Sequence, residues 1–161
     1  MPSILGLDAS STMIGYCLLE GEQVTAHGEI KLRGDDIADR CRQAQNALIH
    51  LIDGRAIDAV AIEAPVVRRF LGKGGRRVDT ANAVIPQARV SGALLAMVSL
   101  RELAWIEIEP ATAKRAATTK GNANKDAVQQ AAIAYGVLGE HAADAWAVAR
   151  AAVPRVRVGE G

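Results

Sequence analysis

Aromatic residues are almost missing from this chain. Phe, Tyr and Trp make up 3% of 161 residues, with Phe70 the lone phenylalanine. So few rings argue against a platform that grips single-stranded nucleic acid by stacking successive bases. Cysteine is equally scarce, and Cys17 and Cys41 stand in separate apolar settings without metal-ligand spacing. They read as two reduced, buried thiols, which excludes a disulfide framework and fits a cytoplasmic protein. No apolar run reaches the roughly 18 residues that a membrane span needs. Met1-Pro2-Ser3 leads straight into a strand with no basic segment or apolar h-region, so neither membrane nor secretion is expected. An excess of one charge sign is lacking too, since 19 Lys and Arg against 18 Asp and Glu leave a net +1.

What the chain does have is a composition that is 50% hydrophobic. That is enough for one domain with a core of Ala, Val, Leu and Ile. We expect a single domain over residues 1–154 and a short frayed tail over 155–161, with no internal repeat or linker. Basic residues are unevenly spread. Arg68, Arg69, Lys73, Arg76 and Arg77 fall close together, and Lys114, Arg115, Lys120 and Lys125 form a second group. Both lie beside glycines and largely apart from the acids, which points to phosphate contacts.

Residues 3–8, 13–20 and 23–32 read as strands, the last two joined tightly by Gly21-Glu22 as an antiparallel hairpin. Asp35 or Asp36 caps a helix with the stripe Ile37, Cys41, Ala44, Leu48 and Leu51, which Gly54 stops. A strand over residues 57–63 follows at the spacing of a parallel crossover, in one sheet with the first. Residues 66–79 have little periodicity and read as a mobile loop. Pro86 sits at the first turn of a helix running to about Leu100, lined by the small residues Ala88, Ser91, Gly92, Ala93 and Ala96. Trp105–Ile108 is a fifth strand. Pro110 opens a short helix, Asn124 caps another that Gly136 closes, and a last helix runs from Glu140 to Val153 and ends at Pro154. The fold class is α/β, a five-stranded mixed sheet flanked by helices.

Two strands end on acids. Asp8 closes Ile4–Leu7 and Glu63 closes Ala59–Ile62. If these strands are parallel neighbours, both carboxylates emerge at one sheet edge, where open α/β sheets place their chemistry. His141 and Asp144 are spaced i,i+3 on the last helix and share a face, flanked by alanines small enough for close packing. Asp144 in an alanine-rich apolar helix is the hardest of these to explain structurally, because buried acids are costly unless paired. Three converging carboxylates repel one another and raise their own pKa values. A divalent cation removes that objection. Such oxygen-rich sites suit Mg²⁺ or Mn²⁺, and two ions about 4 Å apart are a standard arrangement for phosphodiester hydrolysis.

With these residues in view, Gly6-Leu7-Asp8-Ala9-Ser10 and Gly15-Tyr16 resemble the opening of the RuvC family of Holliday-junction resolvases. Ala61-Ile62-Glu63 is similar to its second acidic strand, and Gln87-Ala88-Arg89 with Gly92 to the start of its central helix. Lys114, Gly121 and Asn124–Gln129 resemble its basic segment and following helix, and His141–Ala145 its closing acidic motif. The resemblance runs through nearly the whole chain in order. It implies an RNase H-like fold, a homodimer, and symmetric nicking of four-way DNA junctions with Mg²⁺ or Mn²⁺, two ions per site.

By the same resemblance Asp8, Glu63 and Asp144 are metal ligands, and His141 stands where members carry aspartate or histidine. Lys114 and Lys125 match positions that contact DNA phosphates; the two basic groups themselves, and not the resemblance, add Arg68, Arg69, Phe70, Lys73, Arg76, Arg77 and Lys120 as nucleic-acid contacts. Members commonly carry an aromatic soon after the second acid. Here that neighbourhood is Ala64-Pro65-Val66-Val67, and Phe70 comes later in an Arg-rich loop, as in a variant, phage-type member. Two other readings stand beside this one: an RNase H-like nuclease acting on other branched DNA or structured RNA, and a junction-binding protein without catalysis.

Overall fold

A computed structural model describes residues 1–65, 69–71, 77–79 and 81–157, with the backbone alone at 69–71, 77–79, 81–83 and 157. In chain order these form β1 (Ser3–Ala9), β2 (Met13–Glu20), β3 (Gln23–Lys31), α1 (Ile37–Ile52), β4 (Ala59–Glu63), β5 (Arg69–Leu71) and β6 (Arg77–Asp79). Then come α2 (Ala81–Leu100), β7 (Ala104–Ile108), α3 (Pro110–Thr118), α4 (Lys125–Ile133) and α5 (Glu140–Arg157). The expected hairpin is β2 against β3, antiparallel. β1 pairs antiparallel with β2 and parallel with β4, and β4 pairs parallel with β7. The sheet order is β3-β2-β1-β4-β7. This is the expected five-stranded mixed sheet, with β1 at its centre.

Successive strand residues point to opposite faces, and here that splits the core in two. Leu5 and Leu7 face α1 and α2, packing with Leu48, Leu94 and Val98. Ile4, Cys17, Ala61 and Ile108 face the other way, onto α5 and the shorter α3 and α4. Asp8 is in phase with Ile4, and Glu63 with Ala61. The period of two therefore delivers both acids to the α5 side. Burial pushes the Cys17 thiol up to about 12, so it stays protonated and inert. Cys41, expected to be buried, is only partly so, because it lies at the rim of the α1 stripe.

Asp36 is the cap of α1, its carboxylate accepting from the Ala38 N–H at 2.9 Å. A bond of this kind stabilises a helix by about 1 kcal/mol. Asn124 does the same for α4, accepting from the Ala127 N–H at 2.9 Å.

Three expectations are corrected. Residues 66–79 are not wholly a loop, since β5 and β6 pair antiparallel with Phe70 opposite Val78. Arg68, Lys73 and Arg76, named above as nucleic-acid contacts, lie outside the described residues, as do 66, 67, 72, 74, 75 and 80. Pro86 does not open its helix but sits inside α2, and Pro154 does not end α5, which continues to Arg157. A proline removes one N–H from the helical ladder. The buried stripe Val90, Leu94 and Val98 on α2, and Ala149 and Ala152 on α5, outweigh that local loss by tertiary packing. Of the expected tail, 158–161 lies outside the described residues. No helix among the described residues is long and apolar enough to cross a membrane.

Candidate active site

The site is made where β1, β4 and α5 meet. α5 can lie directly on the strands because two of the residues beneath it are glycines. A Cβ at Gly6 would stand 2.2 Å from the Ala145 carbonyl oxygen, and one at Gly15 would stand 2.1 Å from that of His141. At those two points the helix rests on bare backbone. This close approach brings His141 and Asp144, one turn apart on α5, to the acids at the strand ends.

His141 meets Asp8 directly, with Nδ1 2.8 Å from Asp8 Oδ2. An ionised carboxylate can only accept, so Nδ1–H donates and Nε2 is left for a further partner. The His141 pKa is raised, first by this bond and against the opposing effect of burial. Asp144 is pushed up to about 6, first by burial and next by the charge of Asp8, while Lys125 and His141 pull the other way. Its carboxylate is therefore held in a place that lacks full compensation for a negative charge.

Glu63 and Asp144 line one cleft of about 240 Å³, together with Lys114 from α3, Lys125 from α4 and the apolar floor of Ala113, Val128 and Ala147. Lys125 pairs with Glu140 at the start of α5. That hydrogen bond raises the lysine's pKa and lowers the glutamate's, so Lys125 is a fixed positive charge at the mouth of the cleft.

Of the expected site residues, the structure thus joins Asp8 to His141 by a hydrogen bond. It gathers Glu63, Asp144, Lys114 and Lys125 around one cleft. Lys120 stands apart, exposed at the turn between α3 and α4. Arg69, Phe70 and Arg77 are placed by backbone only, on the β5–β6 ribbon that follows Glu63 in the chain. One participant was not read from the sequence. Glu29 on β3 accepts a hydrogen bond from the His141 backbone N–H at 2.9 Å, and only strand register, invisible in residue order, reveals it.

The donor set suits a hard divalent cation. Carboxylate oxygens with one imidazole favour Mg²⁺ or Mn²⁺ over softer metals, and the raised pKa of Asp144 marks a carboxylate that a cation would neutralise. Among the described residues, no group of three or more His, Cys, Asp or Glu is placed to hold a metal ion as it stands. Mg²⁺ does not demand one, because it keeps several waters and is held by one or two carboxylates plus substrate phosphates.

A family model described as "Crossover junction endodeoxyribonuclease RuvC" matches residues 4–151. The chain belongs to the RuvC family. A curated relative, the crossover junction endodeoxyribonuclease RuvC of Chlamydia caviae, is 30% identical over 132 residues, which span 78% of this chain and 73% of that protein. Among solved structures, Thermus thermophilus RuvC matches with a TM-score of 0.75 at 19% identity, over 98% of this chain and 96% of that one. T. thermophilus RuvC in complex with a Holliday junction substrate matches with a TM-score of 0.76 at 18% identity, over 99% and 97% of the two chains. The five-stranded RuvC architecture is an RNase H-like fold. The fold implied by the sequence motifs is the fold observed.

Proposed function

We propose that this protein is a structure-selective DNA endonuclease that resolves Holliday junctions by metal-dependent phosphodiester hydrolysis, cutting symmetrically as a homodimer. The observation that carries the reading is the cleft itself, where Glu63 and Asp144 face Lys114 and Lys125 next to the Asp8–His141 pair. A protein that only bound junctions would gain nothing from carboxylates directed at phosphates.

Asp8, Glu63, His141 and Asp144 are the residues to hold two Mg²⁺ ions, with Mn²⁺ as a substitute. Bound there, such ions supply a water activated at neutral pH and a counter-charge for the departing 3′ oxygen. The chain's own groups do the rest. Lys114 and Lys125 draw the scissile phosphate to the acids, and Lys125 keeps its charge through Glu140. Asp8 fixes the His141 ring, leaving Nε2 to ligate or to carry a proton. Lys120 and the basic residues of and around the ribbon, Arg68, Arg69, Lys73, Arg76 and Arg77, neutralise phosphates further out, which makes binding salt-dependent. Phe70 is the aromatic available to enter the junction.

Two strands must be cut, so two sites related by a two-fold axis are wanted. The outer face of α2 supports that. Ile85 and Leu95 are 47% and 41% exposed, and between them lie Ala88 and Gly92. A Cβ at Gly92 would meet nothing within 4 Å, so the subunit itself has no need of a glycine there. Close packing against a second copy does. A DNA substrate and two reduced thiols fit the cytoplasm.

The test is nicking of a synthetic four-way junction in Mg²⁺ and in EDTA, with linear duplex as control. Paired nicks are expected from the wild type and none in EDTA. Asp8→Asn should lower the rate at least about 100-fold, the scale of a lost charge stabiliser, with junction binding retained. Equal cutting of all branched forms would replace the resolvase reading by a general branched-DNA nuclease. No cutting in either metal would overturn the DNA reading and turn attention to structured RNA.

A further inference from the structure

Asp8, Gly15 and Glu29 are register partners across β1, β2 and β3, so their side-chain positions share the sheet face on which α5 lies. Gly15, in the middle, offers no side chain. The first turn of α5 settles into that gap, with the Asp8 carboxylate on one side and the Glu29 carboxylate on the other. Asp8 Oδ2 takes the His141 ring at 2.8 Å, and Glu29 Oε1 takes the His141 backbone N–H at 2.9 Å. One residue is gripped by its ring and by its backbone at once.

The start of α5 explains why an outside partner is used. The first N–H groups of a helix lack intrahelical acceptors, and the residue before the helix usually caps one of them with its side chain. Here that residue is Gly139, whose carbonyl accepts from the Ala143 N–H at 3.0 Å but which has no side chain to give. Its φ is +102°, and a Cβ there would stand 2.6 Å from Glu29 Oε1. The glycine thus both allows the turn and makes room for a carboxylate that lies 112 positions before His141 in the chain. A negative group at a helix N-terminus is also favoured by the helix dipole.

We propose that Glu29 is a positioning residue of the active site, which caps the first turn of α5 from β3 and thereby sets His141 against Asp8 and Asp144 into the cleft. Besides its alanines, α5 is anchored by the buried Trp146 and Val148, which lie beyond its first turn. The first turn is left free to fray, and each residue of slippage there turns a side chain by roughly 100°. The cap removes that freedom where His141 and Asp144 project. This inference rests on the reading of those residues as the nuclease site.

The test compares Glu29→Ala and Glu29→Gln by single-turnover nicking, junction binding and, in metal-free protein, hydrogen exchange of the His141 amide. Glu29→Ala should deprotect that amide and lower the rate about tenfold, as lost supporting partners of a site do, with junction affinity unchanged. Glu29→Gln keeps an oxygen acceptor and should restore the protected amide and most of the rate. A wild-type rate in Glu29→Ala, or a rate loss matched by an equal loss of junction affinity, overturns the proposal. If Glu29→Ala does not fold, Glu29→Gln decides alone, and an exposed amide or a rate as low as that expected for alanine overturns it. If the wild type fails to nick, the functional reading falls, while amide exchange still decides whether Glu29 caps α5.

Discussion

At Asp144, stability and chemistry pull in opposite directions. Burial and the charge of Asp8 raise its pKa from 3.8 to about 6 in the folded protein. The native state therefore holds the proton more tightly than the unfolded chain does. That contribution to stability is complete below about pH 4 and is lost as pH rises through 6. The shift corresponds to about 3 kcal/mol, reduced by the residue's partial exposure to about 1–2 kcal/mol. Asp144→Asn should therefore melt several degrees higher than wild type in EDTA at pH 7, and the gain should vanish near pH 4. Calorimetry at the two pH values checks this, and the same variant should not nick. Asp144 was readable from the sequence because an acid among alanines has no bland explanation. Glu29 was not, because nothing in residue order sets it beside Gly15.

Among the elements, α5 decides the site. Its carbonyls rest on Gly6 and Gly15, so the helix–sheet distance is set by two missing side chains. Gly15→Ala would drive a methyl group into the His141 carbonyl and lift the helix end that carries His141. Overpacking of this kind costs typically 1–3 kcal/mol. Urea unfolding should show that loss, and nicking should fall further than stability does, because Asp8 and His141 part. The helices themselves were legible from their caps and stripes, as Asp36 and Asn124 demonstrate. Their limits at Pro86 and Pro154 were not, because a local rule about proline yields to burial on the same helix. The β5–β6 pairing was hidden for a different reason: three-residue strands are too short for a period of two to stand out.

For the whole molecule, the open question is the second copy. The outer face of α2 carries Gly92 with free space around it, so Gly92→Arg should leave the fold and melting temperature of the subunit nearly unchanged. It should shift sedimentation from dimer to monomer and replace paired nicks by single ones. A dimer undisturbed by arginine at that position would place the subunit contact elsewhere. That β1 and β4 lie parallel in one sheet was legible from the strand–helix–strand spacing, while the full order of the five strands was not. The outer face of α2 was visible as a run of small residues, though only the structure separates Ser91, which is buried, from Gly92, which is not.

The pair at the heart of the site joins residues 133 positions apart, one in the first strand and one in the final helix. Chains emerge from the ribosome N-terminal end first, and a domain folds as a unit. β1 to β4 are made long before α5, so the contact between Asp8 and His141 forms only once nearly the whole chain has been made. A polypeptide that stops short of residue 140 carries both strand acids but lacks His141 and Asp144. On the proposed assignment of those residues, such a fragment should not nick a junction.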